Sequence, residues 1–88
     1  MQVKNIFIHP NFDKSYRKLP KEVKEKAKLK EKIFRKDPFD PRLKTHKLFG
    51  KEKECWAFWI DYRYRIKFIF LDDNEVLFLD IGTHEIYK

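Results

Sequence analysis

The sequence predicts an α+β fold of two layers, a helical layer lying on one sheet. Three observations carry that prediction. Apolar residues recur at helical spacing through the first half of the chain and at alternate positions through the second. The change of period falls at "KDPFDPRLK", residues 36–44, where two prolines and two aspartates within five residues require a loop. With 88 residues the chain can bury one modest core and no second one, so a single domain spanning 1–88 is expected. Hydrophobic residues are 42% and aromatics 17%, so the chain can fold, and its many rings must be buried or put to use.

The elements follow in order. "QVKNIFIH", residues 2–9, is β-branched and aromatic and stops at Pro10, which reads as a first strand. In "NFDKSYRKL", Phe12, Tyr16 and Leu19 recur at helical spacing with Asn11 as a cap, and Leu19 before Pro20 ends that helix. Pro20 suits the first position of a second helix, Glu22 and Glu25 suit its positive end, and the helix should run to about Lys36. Val23, Ala27, Ile33 and Phe34 form its thin apolar stripe, so the two helices make a hairpin with one buried face. After the loop, "KTHKLFG" is a short strand ending at Gly50. "CWAFWID" sets Trp56, Phe58 and Ile60 against Ala57 and Trp59. "YRIKFIFL" sets Ile66, Phe68 and Phe70 against Arg65, Lys67 and Ile69. Asp72, Asp73 and Asn74 form a turn into "EVLFLDI", whose nearly unbroken apolarity predicts a strand covered on both faces. The expected architecture is an N-terminal strand, a helical hairpin, then a mainly antiparallel four-strand meander.

Net charge is +7, and residues 1–50 hold 15 Lys and Arg against 6 Asp and Glu, whereas residues 51–88 hold 6 against 8. The basic half favours encounter with RNA, DNA or an acidic protein, without choosing among them. No apolar run approaches the roughly 20 residues that span a bilayer, and "MQVKNIFIHP" lacks the apolar stretch and cleavage site of a signal peptide. The single cysteine, Cys55, has no disulfide or zinc companion and reads as a half-buried small residue. A soluble protein of the reducing cytoplasm, away from membranes, is expected.

Few residues can carry chemistry. Arg65 falls on the strand face opposite Ile66, Phe68 and Phe70, where a guanidinium held on a strand makes a preorganised phosphate clamp; its structural alternative is an exposed arginine paired with Asp61. His84 and Tyr87 follow Gly82. They lie side by side if the chain turns helically and on opposite faces if it stays extended, and the plainer reading is a polar, frayed terminus. A histidine titrates nearest neutrality, and a tyrosine can stack on a base or donate a hydrogen bond. His46 becomes a candidate if its strand neighbours that of Arg65; His9, before Pro10, is a turn residue. The spacings among His9, His46, Cys55 and His84 match no zinc pattern, no Gly-rich phosphate loop or nucleophile motif occurs, and no metal or cofactor is expected.

Three phrases, "HKLFG", "WAFWIDYRYRIKF" and "VLFLDIGTHEIY", together with the helical stretch "LPKEVKEKAKLKEKIFRKDPFDPRLKTHKL", resemble the RelE/ParE toxin superfamily of toxin–antitoxin modules over nearly all 88 residues. The resemblance implies the RelE-like fold and, in the RelE branch, a metal-independent endoribonuclease toxin that cuts messenger RNA, usually in the ribosomal decoding site. It assigns Arg65 to the phosphoryl charge, His84 to proton transfer as base or acid, Tyr87 to orienting or stacking on the substrate, and His46 to a second proton carrier. Lys44, Lys47, Trp59, Arg63 and Lys67 are the implied RNA-binding residues. "CWAFWI" carries none of the lysines some members place before the arginine, and the interval from His84 to Tyr87 is one residue shorter than in many relatives. A ParE-like gyrase poison and a catalytically weak binding protein are the alternatives. The resemblance also implies an acidic antitoxin partner in a hetero-oligomer, with Phe39 and Phe49 as docking points if they are not in the core.

Overall fold

The computed structural model describes residues 2–49 and 54–87. Strand β1 (Asn5–Ile8) is followed by helices α1 (Pro10–Arg17) and α2 (Lys21–Lys36), a 3-10 turn (Pro41–Leu43), strands β2 (His46–Lys47), β3 (Trp56–Trp59), β4 (Arg65–Phe70) and β5 (Glu75–Gly82), and a final 3-10 turn (His84–Tyr87). The sheet order is β1-β5-β4-β3-β2. β2 to β5 form the expected antiparallel meander, and β1 adds in parallel to β5 at its edge.

Local chemistry explains the boundaries. α1 starts two residues earlier than the cap at Asn11 implies, because Pro10 lacks an N–H and takes the first turn, while His9 is the cap and its Nδ1 accepts from Asn11 N–H at 3.0 Å. Pro20 likewise stands just before α2, one position ahead of its expected place. β1 is shorter than 2–9, since Val3 N–H donates to Arg35 O at 2.8 Å and is committed to the end of α2. Asp73 and Asn74 both have positive φ, 59° and 62°, as at the centre of a type I′ hairpin turn; Glu75 N–H closes the turn onto Asp72 O at 3.3 Å, and Leu71 N–H donates to Glu75 O at 2.8 Å beside it. β2 is cut to two residues. Phe49 beyond it is exposed, and Gly50, expected to end the strand, lies outside the described residues.

The helices cover one face of the sheet. Phe34 of α2, fully buried, stacks on Phe58 at 4.6 Å and meets Phe68 and Phe78 edge-on at 5.0 and 5.5 Å. Phe12 of α1 adds a tilted contact with Phe78, and Leu43, Ile60, Ile66, Val76 and Ile81 complete the cluster. Of the inward sets predicted for β3 and β4, Phe58, Ile60, Ile66 and Phe68 are buried and Trp56 and Phe70 pack partly buried against them, while Ala57 of the outward set is buried on the other face.

β5 departs from the expectation that both its faces are covered. Val76, Phe78 and Ile81 are buried under the helices, whereas Leu77 and Leu79 on the other side are only half-buried. The inward residues Phe78 and Ile81 are three apart, which a regular strand forbids. Pairing steps from Phe68↔Phe78 to Lys67↔Asp80, so Leu79 is an extra residue, a β-bulge that rephases the strand end.

Candidate functional site

The open face of the sheet carries a small second cluster, Leu48, Cys55 and Ala57, with Ile69, Leu79 and Tyr87 packed against it. Cys55 is buried there, deeper than its sequence surroundings imply. The candidate groups ring this patch. Across the sheet, His46 pairs with Ala57, Ala57 with Lys67, and Trp59 with Arg65, which in turn pairs with Gly82. Cross-strand partners project to the same side, so His46, Lys67, Trp59 and Arg65 share the open face.

Arg65 is held by three things. Its Nη1 donates to the backbone oxygens of Asp61 at 2.7 Å and Tyr64 at 3.2 Å, and its Cζ lies 3.9 Å from the centre of the Trp59 ring. The pairing with Asp61 foreseen from sequence thus uses the carbonyl, because the carboxylate is occupied elsewhere. Asp61 Oδ1 accepts from the N–H groups of Arg63 and Tyr64, both at 2.8 Å, and Oδ2 meets Lys26 Nζ at 3.3 Å. Partial burial raises the affinity of that carboxyl for its proton, but the two N–H groups and Lys26 outweigh it, and its pKa falls below the usual carboxylate value. One aspartate therefore fixes the turn that delivers the arginine.

His46 and Tyr87 form the second group. His46 Nδ1 lies 2.9 Å from the Lys44 carbonyl oxygen, which can only accept, so Nδ1 carries the proton and neutral His46 keeps Nε2 as its basic nitrogen. The Tyr87 hydroxyl, 3.4 Å from Nε2, donates toward it, and the rings meet edge-on at 6.0 Å. Burial pushes the Tyr87 phenol above its ordinary pKa, with the Arg65 charge and hydrogen bonding pulling the other way, so Tyr87 is a donor at neutral pH. Lys44 has φ 51° and ψ 40°, a left-handed backbone that turns its carbonyl to His46, while its Nζ lies 5.3 Å from the Trp59 ring centre. Trp59 is thus in contact with two cations.

His84 and Tyr87 share the final 3-10 turn but diverge. Tyr87 returns over the sheet to the second cluster, whereas His84 is exposed and lines, with Tyr62, Arg63 and Thr83, an open cavity of about 290 Å³ just past the Arg65–Gly82 pair. A Cβ on Gly82 would approach Ile86 Cγ2 to 2.9 Å, so this turn needs glycine at its base. Arg63 lies over the Tyr64 ring at 5.8 Å and belongs to the His84 side. Lys47 is placed apart from the other predicted RNA-binding residues: it pairs with Trp56, whose ring meets Phe39 and Phe70 on the helix side, so alternation sends it away from His46. Phe39, half-exposed, belongs to that ring group as well.

Tyr62 and Thr83 were not singled out from sequence, and Asp61 was named only as a partner for Arg65. An aspartate followed by a polar turn is a weak Asx-turn signal; nothing in the local pattern marks Tyr62 or Thr83. Among the described residues no cluster of three His, Cys, Asp or Glu could hold a metal ion, and no helix is long and apolar enough to cross a membrane.

Compared by sequence, the chain matches no family model and no curated protein. Compared by structure, it resembles a chain of the archaeal RelE–RelB complex from Pyrococcus horikoshii OT3, at 19% identity and TM-score 0.73 over 94% of this chain and 96% of that one. The YoeB/ParE toxin from Agrobacterium tumefaciens matches at 14% identity and TM-score 0.79 over 92% and 99%. YafQ from E. coli strain BL21(DE3) matches at 21% identity and TM-score 0.73 over 97% of each chain. Over more than nine-tenths of its length, the chain shares the fold of these RelE–RelB, YoeB/ParE and YafQ structures.

Proposed function

We propose that this protein is the toxin of a type II toxin–antitoxin module and a metal-independent endoribonuclease that cleaves messenger RNA, on the ribosome, by attack of a ribose 2′-hydroxyl on the adjacent phosphorus. The observation that carries the reading is the grouping of a stacked, twice-bonded arginine with a tyrosine–histidine pair on the uncovered sheet face. The reaction needs one proton removed, one supplied to the leaving 5′-oxygen, and donors for the charge on the phosphoryl oxygens. Arg65, held by the carbonyls on its Nη1 and by the Trp59 ring, supplies the donors. The long Tyr87–His46 contact opens as the substrate enters, so that His46 Nε2 takes the 2′-proton and Tyr87 orients the hydroxyl. Past the end of β5, on the other side of Arg65 from His46, His84 returns a proton to the 5′-oxygen. Lys44, Lys67 and Arg63 hold flanking phosphates, and Trp59 keeps Arg65 and Lys44 in place.

The solved neighbours include a RelE–RelB and a DinJ–YafQ complex, which supports an antitoxin partner for this chain. The net charge of +7 suits an acidic one. The test is primer extension on messenger RNA bound to purified programmed ribosomes. Cuts are expected with the parent and a loss of about 10²- to 10⁴-fold with His46→Ala. Intact messages together with gyrase-dependent DNA damage would favour the ParE-like alternative instead.

A further inference from the structure

The cavity beside His84 presents an unusual combination. Tyr62 is 77% exposed, one of the most open large side chains of the molecule, yet it stands on a turn that is unusually well tied. Asp61 Oδ1 takes the N–H groups of Arg63 and Tyr64 on its far side, and Ile60 N–H donates to Tyr64 O at 2.9 Å, so the backbone around Tyr62 is closed and held. An open aromatic ring on a fixed backbone is preorganised for stacking, because little ordering remains to be done when a planar partner arrives. Its companions in the cavity are a guanidinium (Arg63), an imidazole (His84) and a hydroxyl (Thr83), and no carboxylate is among them. A ring bordered by cationic and neutral donors suits a base joined to a phosphate. The surroundings do not suit an acidic peptide equally well, since that would leave the flat face of the ring without a planar partner.

Position along the chain gives the direction. Thr83 and His84 continue directly from Gly82, the cross-strand partner of Arg65, and Tyr62 and Arg63 precede Arg65 on the same turn. We infer that Tyr62, with Arg63 and Thr83, forms a subsite for the nucleotide on the leaving-group side of the cut, the base stacking on the Tyr62 ring and its phosphate meeting Arg63. The inference rests on the nuclease reading above, in which His84 serves the leaving 5′-oxygen; the nucleotide that carries that oxygen then lies over the same cavity.

The test uses messenger RNA on programmed ribosomes in two forms, one intact and one abasic at the nucleotide immediately 3′ of the cut. With the intact message, Tyr62→Ala is expected to lower kcat/KM about tenfold or more, and Tyr62→Trp and Tyr62→Phe to stay within about threefold of the parent. With the abasic message the parent should fall to the level of Tyr62→Ala, and Tyr62→Ala should lose nothing further. Parental rates for Tyr62→Ala on the intact message would overturn the subsite, as would an equal loss on both messages, the mark of a turn that no longer folds. Unchanged cleavage combined with escape from a co-purified acidic partner would overturn it in favour of a protein contact. Failure of the parent to cut at all would remove the nuclease reading and the subsite together, whereas cutting that depends on Arg65 but not on Tyr62 removes only the subsite.

Discussion

The two faces of the sheet are made by the same four antiparallel strands, one residue out of phase, and they have opposite characters. On the helix side Phe34, Phe58, Phe68 and Val76 are at 0% exposure, and the rings interlock at 4.6 to 5.9 Å. On the open side, among the described residues, the buried cluster is only Leu48, Cys55 and Ala57, and the polar groups around it are held by carbonyls, ring faces and each other. The first face is held by removing apolar surface from water, a non-directional effect that tolerates changes of identity at constant volume. The second depends on direction, on a carbonyl aimed at Nη1 of Arg65 and another aimed at Nδ1 of His46. Stability therefore concentrates on one side of the sheet and chemistry on the other, with Asp61 and Gly82 at the strand ends linking them.

Substitutions that affect one face and spare the other test this division. Phe34→Ala should have the largest effect, about 3–5 kcal/mol of stability in urea or thermal unfolding, because it empties the centre of the ring cluster. Arg65→Ala should cost about 10²- to 10³-fold in message cleavage while changing unfolding by no more than about 1 kcal/mol, since its contacts lie outside the core. If both variants lost stability equally, the separation of the faces would be wrong. Gly82→Ala should sharpen the link between them: the 2.9 Å approach to Ile86 Cγ2 forces the last turn outward, with a loss of about 1–3 kcal/mol and a chemical-shift change at Tyr87 and His46. Lys44→Gly should relieve the left-handed backbone and stabilise the fold by up to about 1 kcal/mol, yet lower RNA affinity by removing the cation beside Trp59.

The smallest effect concerns Tyr87 and pH. Its phenol pKa is raised above the ordinary 10.0, mainly by burial, so the folded state favours the neutral form. The resulting stabilisation is full below the unfolded pKa and disappears as pH rises through the higher folded value. Ultraviolet titration should show one tyrosine component ionising above the ordinary 10.0, and Tyr87→Phe should abolish that late component.

Much of the molecule was legible in the residues. The 3.6-residue spacing of Val23, Ala27 and Phe34 and the alternation of Ile66, Phe68 and Phe70 identified the helix, the strand and the face each would bury. Pro10, Pro20 and the Asp72–Asn74 turn marked the boundaries to within a residue or a few. The β-bulge at Leu79 was hidden, because in "VLFLDI" every residue but one is apolar and either phase looks acceptable. His46 was read as a proton carrier and Lys47 as an RNA-binding residue of the same site, but strand geometry sends adjacent side chains to opposite sides.

The sequence by itself determined which positions would be withdrawn from water, since burial depends on residue type and on a period that local backbone geometry sets. Only the tertiary structure decided which polar groups meet. His46 and Tyr87 are 41 residues apart, and Ser15 reaches Asp80 across 65. Such contacts depend on strand order, a bulge and one tight glycine turn acting together, and a directional hydrogen bond exists only when all of these bring donor and acceptor within about 3 Å.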